Sequence, residues 1–168
     1  MKNSQSWLLW LTRTAVLLAL TLTVQFLGLP QWFTGPLVNA FLLLASSLVG
    51  MGSGVVIGLL TPWIALLRGI LPPPLAPIVP FIMLGNALLV IIFSLITRKK
   101  EVPWLNVLAL SLAAFGKYLL LSQAVRYLVE VPPRVAQAMQ IPQLLTALAG
   151  GAIALLVGGA VKRALRRS

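Results

Sequence analysis

The chain alternates between long apolar runs and short segments rich in charge, proline or glycine. A membrane-spanning helix needs about 20 mostly apolar residues, and six runs approach that length. We therefore predict six transmembrane helices. The predicted spans are 7–28, 33–49, 54–67, 78–97, 104–128 and 142–161.

Two of the predicted spans are irregular. The first contains Arg13, so residues 7–11 form either an interfacial turn or the start of the helix itself. The third is short and contains Pro62, where a kink is expected if neighbouring helices satisfy the freed carbonyl group. The connection after it carries three consecutive prolines at 72–74. These indicate either a rigid lid or simple helix ends.

The composition supports a membrane protein. Of the 168 residues, 60% are hydrophobic and 9% are charged, whereas roughly a quarter of the residues in soluble domains are charged. Lipid rather than water must therefore solvate most of the surface. We expect an all-α membrane protein in which residues 1–168 form one six-helix transmembrane domain.

The net charge of +11 would suggest a nucleic-acid partner in a soluble protein, but here it follows from topology. Six spans put both termini on one side, and lysine and arginine accumulate on the cytoplasmic side. We count nine such residues on the side of the termini and three on the other, so both termini are predicted to be cytoplasmic. The nine are Lys2, Arg13, Arg98, Lys99, Lys100, Lys162, Arg163, Arg166 and Arg167, and the three are Arg68, Arg126 and Arg134.

The residue types that the chain lacks exclude most enzyme chemistry. It contains no Cys, His or Asp, and its only acidic residues are Glu101 and Glu130. Thiol or imidazole metal sites, nucleophile–base pairs and paired carboxylates are therefore absent. We predict that the protein is not an enzyme and holds no metal or cofactor.

Polar side chains inside the spans are unequally distributed. Such side chains are costly in lipid and usually face a bundle interior or a cavity. Measured from the helix ends at about 1.5 Å per residue, the amides and the single buried cation fall in the outer half. The inner half holds mostly hydroxyls, which can bond to backbone carbonyls. This asymmetry predicts a pocket that opens to the outside. The outer group comprises Gln25, Asn39, Thr61, Asn86, Lys117 and Gln143.

Lys117 is the most informative of these residues, because no span contains a carboxylate to pair with it. It is neutral, or it snorkels, or its partner is an anionic ligand. Asn39 and Asn86 are predicted to contact a ligand with it, although interhelical hydrogen bonding would also explain them. Further candidates are Tyr118, Gln143, Trp63 and Arg68. For the aromatic residues, the alternative is the membrane aromatic belt.

Small residues recur at four-residue spacing, which allows close helix approach. They include Gly54 and Gly58 in the third span and Gly150, Ala154 and Gly158 in the sixth, where the contact is expected within the bundle. In the first span, Ala15 and Ala19 lie in the cytoplasmic half and could contact another subunit.

These features resemble the S components of energy-coupling factor (ECF) transporters, which are small six-helix membrane subunits that capture micronutrients. Ala15 and Ala19 match the AxxxA motif of that family, and the resemblance in length, span count and topology covers nearly the whole chain. Segments that also look like those of S components are 34–39, 60–62, 67–74 and 85–86.

The resemblance implies a subunit that binds a vitamin or related small molecule from outside a bacterial-type plasma membrane. The AxxxA motif would dock on the coupling transmembrane subunit, and two cytoplasmic ATPases would power release. The chain has no Walker-type loop, which agrees with ATP hydrolysis elsewhere. It has no family histidine for nickel or cobalt, and it matches no substrate signature.

Two other functions are consistent with the sequence. A stand-alone small transporter or channel would need a polar path through both halves, and the inner half offers few groups for one. A structural or assembly factor would use its polar residues only to hold helices together, and would bind no ligand.

Overall fold

A computed structural model describes residues 2–97 and 102–165, which form helices and short connections without any strand. A 3₁₀ helix, Pro73–Ile78, leads into the fourth helix, and a π-helical turn, Ala124–Leu128, extends the fifth. Six of the α-helices are long, and this confirms the predicted fold class. The α-helices are α1 Lys2–Phe26, α2 Gln31–Leu48, α3 Met51–Leu67, α4 Val79–Thr97, α5 Pro103–Gln123, α6 Pro133–Ala138 and α7 Ile141–Leu165.

Most helix boundaries differ from the predicted spans by a few residues, and three features were not predicted. Arg13 does not interrupt α1, because its side chain is exposed and the helix continues past it. The last span extends to Leu165 rather than ending at 161. The connection between the fifth and sixth predicted spans contains the short helix α6, which begins with a proline as helices often do.

Within the described residues, four helical segments are long and apolar enough to cross a membrane: Gln5–Phe26, Pro73–Thr97, Pro103–Leu128 and Pro133–Ala164. Helix α3, Met51–Leu67, is apolar but shorter. The protein is therefore a membrane protein.

Glycines allow the chain to reverse direction after α1 and α3. Gly28 and Gly69 have φ values of +63° and +70°, a region that residues with a β-carbon rarely adopt. Each follows the last turn of a helix, the position where glycine commonly terminates one. The Gly69 backbone N–H donates to the carbonyl of Leu66 at 3.0 Å.

The core lies among α2, α4, α5 and α7. Helix α2 packs most extensively on α7, and α4 packs between α3 and α5. Buried Leu43, Leu89 and Phe93 meet Ala109 and Ala113 of α5 in this core. Helix α1 lies at the edge and packs mainly on α2 and α3.

The bundle has two distinct ends. At the termini end, the last turns of α2, α4 and α7 meet the first turns of α3 and α5 around a cavity. At the opposite end, Ile78, Leu121, Ala124 and Met139 form a buried apolar cluster. Exposed tryptophans lie near both ends: Trp7 and Trp104 at the termini end, and Trp32 and Trp63 at the opposite end.

Five of the twelve lysine and arginine residues counted for the predicted orientation lie outside the described part of the chain. Those residues are Arg98, Lys99, Lys100, Arg166 and Arg167. Among the described residues, Lys162 and Arg163 lie at the termini end, whereas Arg68, Arg126 and Arg134 lie at the opposite end.

Candidate functional site

Lys117 lies inside the bundle on α5 and joins two other helices. Its side chain is 3% exposed. Its Nζ donates to Asn39 Oδ1 of α2 at 2.7 Å and to Asn86 Oδ1 of α4 at 2.8 Å. Asn39 and Asn86 are each 2% exposed. We call these three residues the Lys117 cluster.

The amide nitrogens of the cluster bond to helix backbones. Asn86 Nδ2 donates to the carbonyl of Gly58 on α3 at 3.1 Å, and Asn39 Nδ2 donates to the carbonyl of Gly35 at 2.9 Å. The cluster therefore connects α2, α3, α4 and α5 through side-chain hydrogen bonds.

Glycines make the room that the cluster requires. A β-carbon at Gly58 would lie 3.0 Å from Asn86 Cβ, and one at Gly85 would lie 3.3 Å from Lys117 Cγ. At Gly150 of α7, a β-carbon would lie 2.7 Å from Asn39 Cβ and closer still to the Pro36 carbonyl oxygen. The small residues of the third and sixth spans thus contact other helices of the bundle, as expected.

The environment of the cluster differs from the predicted open pocket. All three side chains are closed off from the surface, and Lys117 does not snorkel to an interface. Its partners are the amide oxygens of Asn39 and Asn86, which are neutral. The described helices contain no carboxylate side chain that could take their place. The interhelical hydrogen bonding considered for Asn39 and Asn86 is present, and Lys117 has no anionic partner among the described residues.

The remaining predicted ligand residues are spread over the opposite end. Gln143, at the start of α7, is buried, and its Nε2 lies 3.8 Å from Met139 Sδ. Tyr118 is half-buried, with its ring centroid 6.0 Å from that of Phe115. Trp63 and Arg68 are exposed on the surface, in line with the aromatic-belt alternative for Trp63.

Two buried polar atoms near this end lack a hydrogen-bond partner in the described structure, Ser122 Oγ and Gln25 Oε1. Ser122 was not among the candidate residues. In the sequence, Ser122 is only a hydroxyl near the end of an apolar helix. That its Oγ lacks a hydrogen-bond partner depends on how the helices pack, which the sequence pattern does not show. Thr146, also unforeseen, is buried against Gly35 and donates to the Gln143 carbonyl at 3.2 Å.

Helix α1 presents a different surface. Ala15 and Ala19 are exposed, and Leu8, Val16 and Leu20 are exposed with them. The other face of α1 is attached to the bundle through Leu17 and Leu18 and through a hydrogen bond of 2.9 Å between Thr14 Oγ1 and Ser53 Oγ.

Comparison with protein families identifies the chain. The family model described as "ECF transporter, substrate-specific component" matches residues 10–162. The chain belongs to this family. An S component binds the substrate of its transporter, and ATP hydrolysis lies in partner subunits. No curated protein and no solved structure matches this S component.

Proposed function

We propose that this S component captures a small, vitamin-like organic anion, and that the Lys117 cluster contacts the anionic group. The observation behind this proposal is a lysine that is 3% exposed and whose described partners are two neutral amides. An enclosed cation in an apolar bundle is costly unless it is paired.

The hydrogen-bond inventory supports an anionic ligand. A protonated lysine has three N–H donors, and two of them are used by Asn39 and Asn86. A carboxylate or phosphate oxygen would accept the third and supply the opposite charge. Charge-assisted hydrogen bonds are about twice as strong as neutral ones, and enclosure within the bundle reduces solvent screening.

Other polar groups could contact the rest of the ligand. Ser122 Oγ is buried without a partner on the same helix as Lys117, five residues further along. Gln143 has only a long contact to a sulfur atom for its Nε2. We infer that the ligand enters from the opposite end, that these groups bond to it there, and that Tyr118, Trp63 and Arg68 line its approach.

Mass spectrometry of small molecules released from the detergent-purified protein tests this proposal. We expect one compound that carries a carboxylate or phosphate, near one per chain, and its loss in Lys117→Met. The matched control is Ser53→Ala, which removes a buried hydrogen bond elsewhere and should retain the compound. If no compound is retained, a vitamin panel is added back. A neutral ligand, or equal retention by Lys117→Met, would overturn the assignment.

We further propose that α1 docks on the coupling transmembrane subunit, which works with two cytoplasmic ATPases. Two observations support this: Ala15 and Ala19 are exposed, and α1 packs mainly on two neighbours. A stripe of small residues lets another helix approach closely in a membrane.

We also infer that the protein lies in the plasma membrane with its termini end in the cytoplasm. The chain contains no cysteine, so single cysteines report sidedness without background. Gln137→Cys should react with an impermeant maleimide in intact cells, and Arg163→Cys only after permeabilisation. The reverse pattern would contradict this orientation.

A further inference from the structure

The charge of the Lys117 cluster can be counted. Among the described side chains, Lys117 is the only lysine or arginine that is buried. Its partners are two amide oxygens, which accept hydrogen bonds from the ammonium group without cancelling its charge. All three cluster residues lie more than one turn from the ends of their helices, so the partial charges of the helix ends add little there. With the lysine protonated, the cluster carries one positive charge.

The two asparagines are held with their oxygen atoms toward the lysine. A protonated lysine has donors and no acceptor, so the amide atom that faces Nζ is Oδ1. The amide nitrogens are engaged elsewhere, because Asn86 Nδ2 donates to the Gly58 carbonyl and Asn39 Nδ2 donates to the Gly35 carbonyl. Asn39 and Asn86 therefore position the ammonium group and leave its charge, and one of its three N–H donors, for a ligand.

The charge of the ligand group should match this count. A carboxylate carries one negative charge and would balance the lysine. A phosphate monoester carries about −1.5 to −2 charges at pH 7, so part of its charge would stay uncompensated inside an apolar bundle. Burial of an unpaired charge is costly. A single carboxylate is therefore the better match.

The space around the cluster also favours a small group. Neighbouring helices approach so closely that a β-carbon at Gly85 would lie 3.3 Å from Lys117 Cγ, and one at Gly58 would lie 3.0 Å from Asn86 Cβ. A carboxylate is planar and has two oxygens, whereas a phosphate monoester has a tetrahedral centre with three terminal oxygens. The carboxylate requires less displacement of the helices.

We propose that the anionic group bound at the Lys117 cluster is a single carboxylate, and that Asn39 and Asn86 determine this selectivity because they are neutral. The inference rests on the function proposed above and narrows its substrate class. Lys117 makes the ionic contact, and the two asparagines are positioning residues that act through it. An acidic side chain at either position would pair with Lys117 and exclude an anionic ligand.

The first test is the chemistry of the compound that the purified full-length protein retains. Mass spectrometry with fragmentation should find a carboxylate and no phosphate monoester. A compound whose only anionic group is a phosphate monoester would overturn this inference and leave the proposed function standing. If no compound is retained, and neither nicotinate, pantothenate nor biotin raises the Tm, the proposed function fails and this inference fails with it.

The second test changes the charge of the amides. Asn39→Asp and Asn86→Asp keep the size of the side chain, and each should retain about tenfold less compound than wild type, because the new carboxylate takes the charge-assisted hydrogen bond of Lys117. Asn39→Ala and Asn86→Ala add no charge, and each should retain more compound than the Asp variant at the same position. The control is Asn106→Asp, the same change at a half-buried position near the start of α5, which should retain the compound as wild type does.

The order of the variants separates charge from packing. Loss of packing or of a hydrogen bond would be greater in the Ala variants, whereas loss of the available charge is greater in the Asp variants. Equal or higher retention by the Asp variants would contradict the inference. The Tm without compound shows whether each variant is folded, and Asn86→Asp should unfold at a higher temperature than Asn86→Ala, because its carboxylate pairs with Lys117. If one Asp variant does not fold, the other position and the identity of the compound still decide.

Discussion

Helix α1 and the bundle formed by α2 to α7 differ in whether their polar and small residues are buried or exposed. In the bundle, Lys117, Asn39 and Asn86 are buried and bonded to each other, and Gly150 faces a neighbouring helix. In α1, the small residues face outward and most of the surface is apolar. The same residue types therefore hold helices together in one region and leave a free face in the other. We therefore expect the proposed ligand binding and the proposed partner binding to respond to different mutations.

The largest effect should come from crowding the contact between α2 and α7. Gly150→Ala puts a β-carbon against Asn39 and the Pro36 carbonyl, and overpacking of this kind costs about 3 kcal/mol. Gly159→Ala is the control on the same helix, because its nearest atom is the Arg163 guanidinium nitrogen at 3.8 Å. Unfolding in mixed detergents, followed by circular dichroism, measures both. Equal stability of the two variants would contradict the close contact.

Substitutions within the Lys117 cluster should have non-additive effects on the free energy of unfolding. Asn86→Ala should lower the free energy of unfolding by about 2 kcal/mol, because it removes one acceptor of the lysine and one donor to Gly58. In a Lys117→Met background the same change should cost less, because the amide oxygen has already lost its partner. A double-mutant cycle measures this coupling. Additive costs would show that Lys117 and Asn86 contribute independently.

A smaller effect is expected where α1 attaches to α3. Thr14→Val removes the hydrogen bond to buried Ser53 and should cost about 1 kcal/mol. Thr12→Val is the matched control, because that hydroxyl is exposed and bonds only to the Leu8 carbonyl of its own helix. The same unfolding assay compares them. If both variants were equally stable, the hydrogen bond would contribute nothing to the attachment of α1.

The smallest effect on stability should come from substitution on the exposed face of α1. Ala15→Leu should change stability by less than about 0.5 kcal/mol, as expected for an exposed position, and should leave ligand retention intact. Co-purification with the coupling subunit and ATPases should fall. Ala152→Leu, the same change at an exposed position of α7, should co-purify normally. Loss in both variants, or in neither, would contradict docking through α1.

Much of the helix pattern could be predicted because apolar runs and their breaks are local properties of the sequence. Depth could be predicted too: a count of residues from the helix ends put Asn39, Asn86 and Lys117 in the same half of the bundle, and the structure brings them within hydrogen-bonding distance. Counting residues from the helix ends does not predict the rotation of each helix about its own axis. Rotation leaves Trp63 exposed while Lys117 is enclosed.

The cavity between the helix ends at the termini end of the bundle could not be predicted for a related reason. Its hydroxyls were taken as satisfied by backbone carbonyls, and Ser94 does donate to the Val90 carbonyl at 2.6 Å. The space between five helix ends depends on their tilt and separation, which are not local properties. In the sequence, Lys162 and Arg163 counted only toward the predicted orientation, and the packing of the bundle brings them to a cavity.

The exposed tryptophans determine what intrinsic fluorescence will report. Four of the five, Trp7, Trp32, Trp63 and Trp104, lie on the outside of the bundle near its two ends. Their emission will respond to the surrounding amphiphile more than to the integrity of the core. Lipids brominated along the acyl chain should quench them in a depth-dependent manner, so the indoles can serve as native markers of how the protein sits across the bilayer.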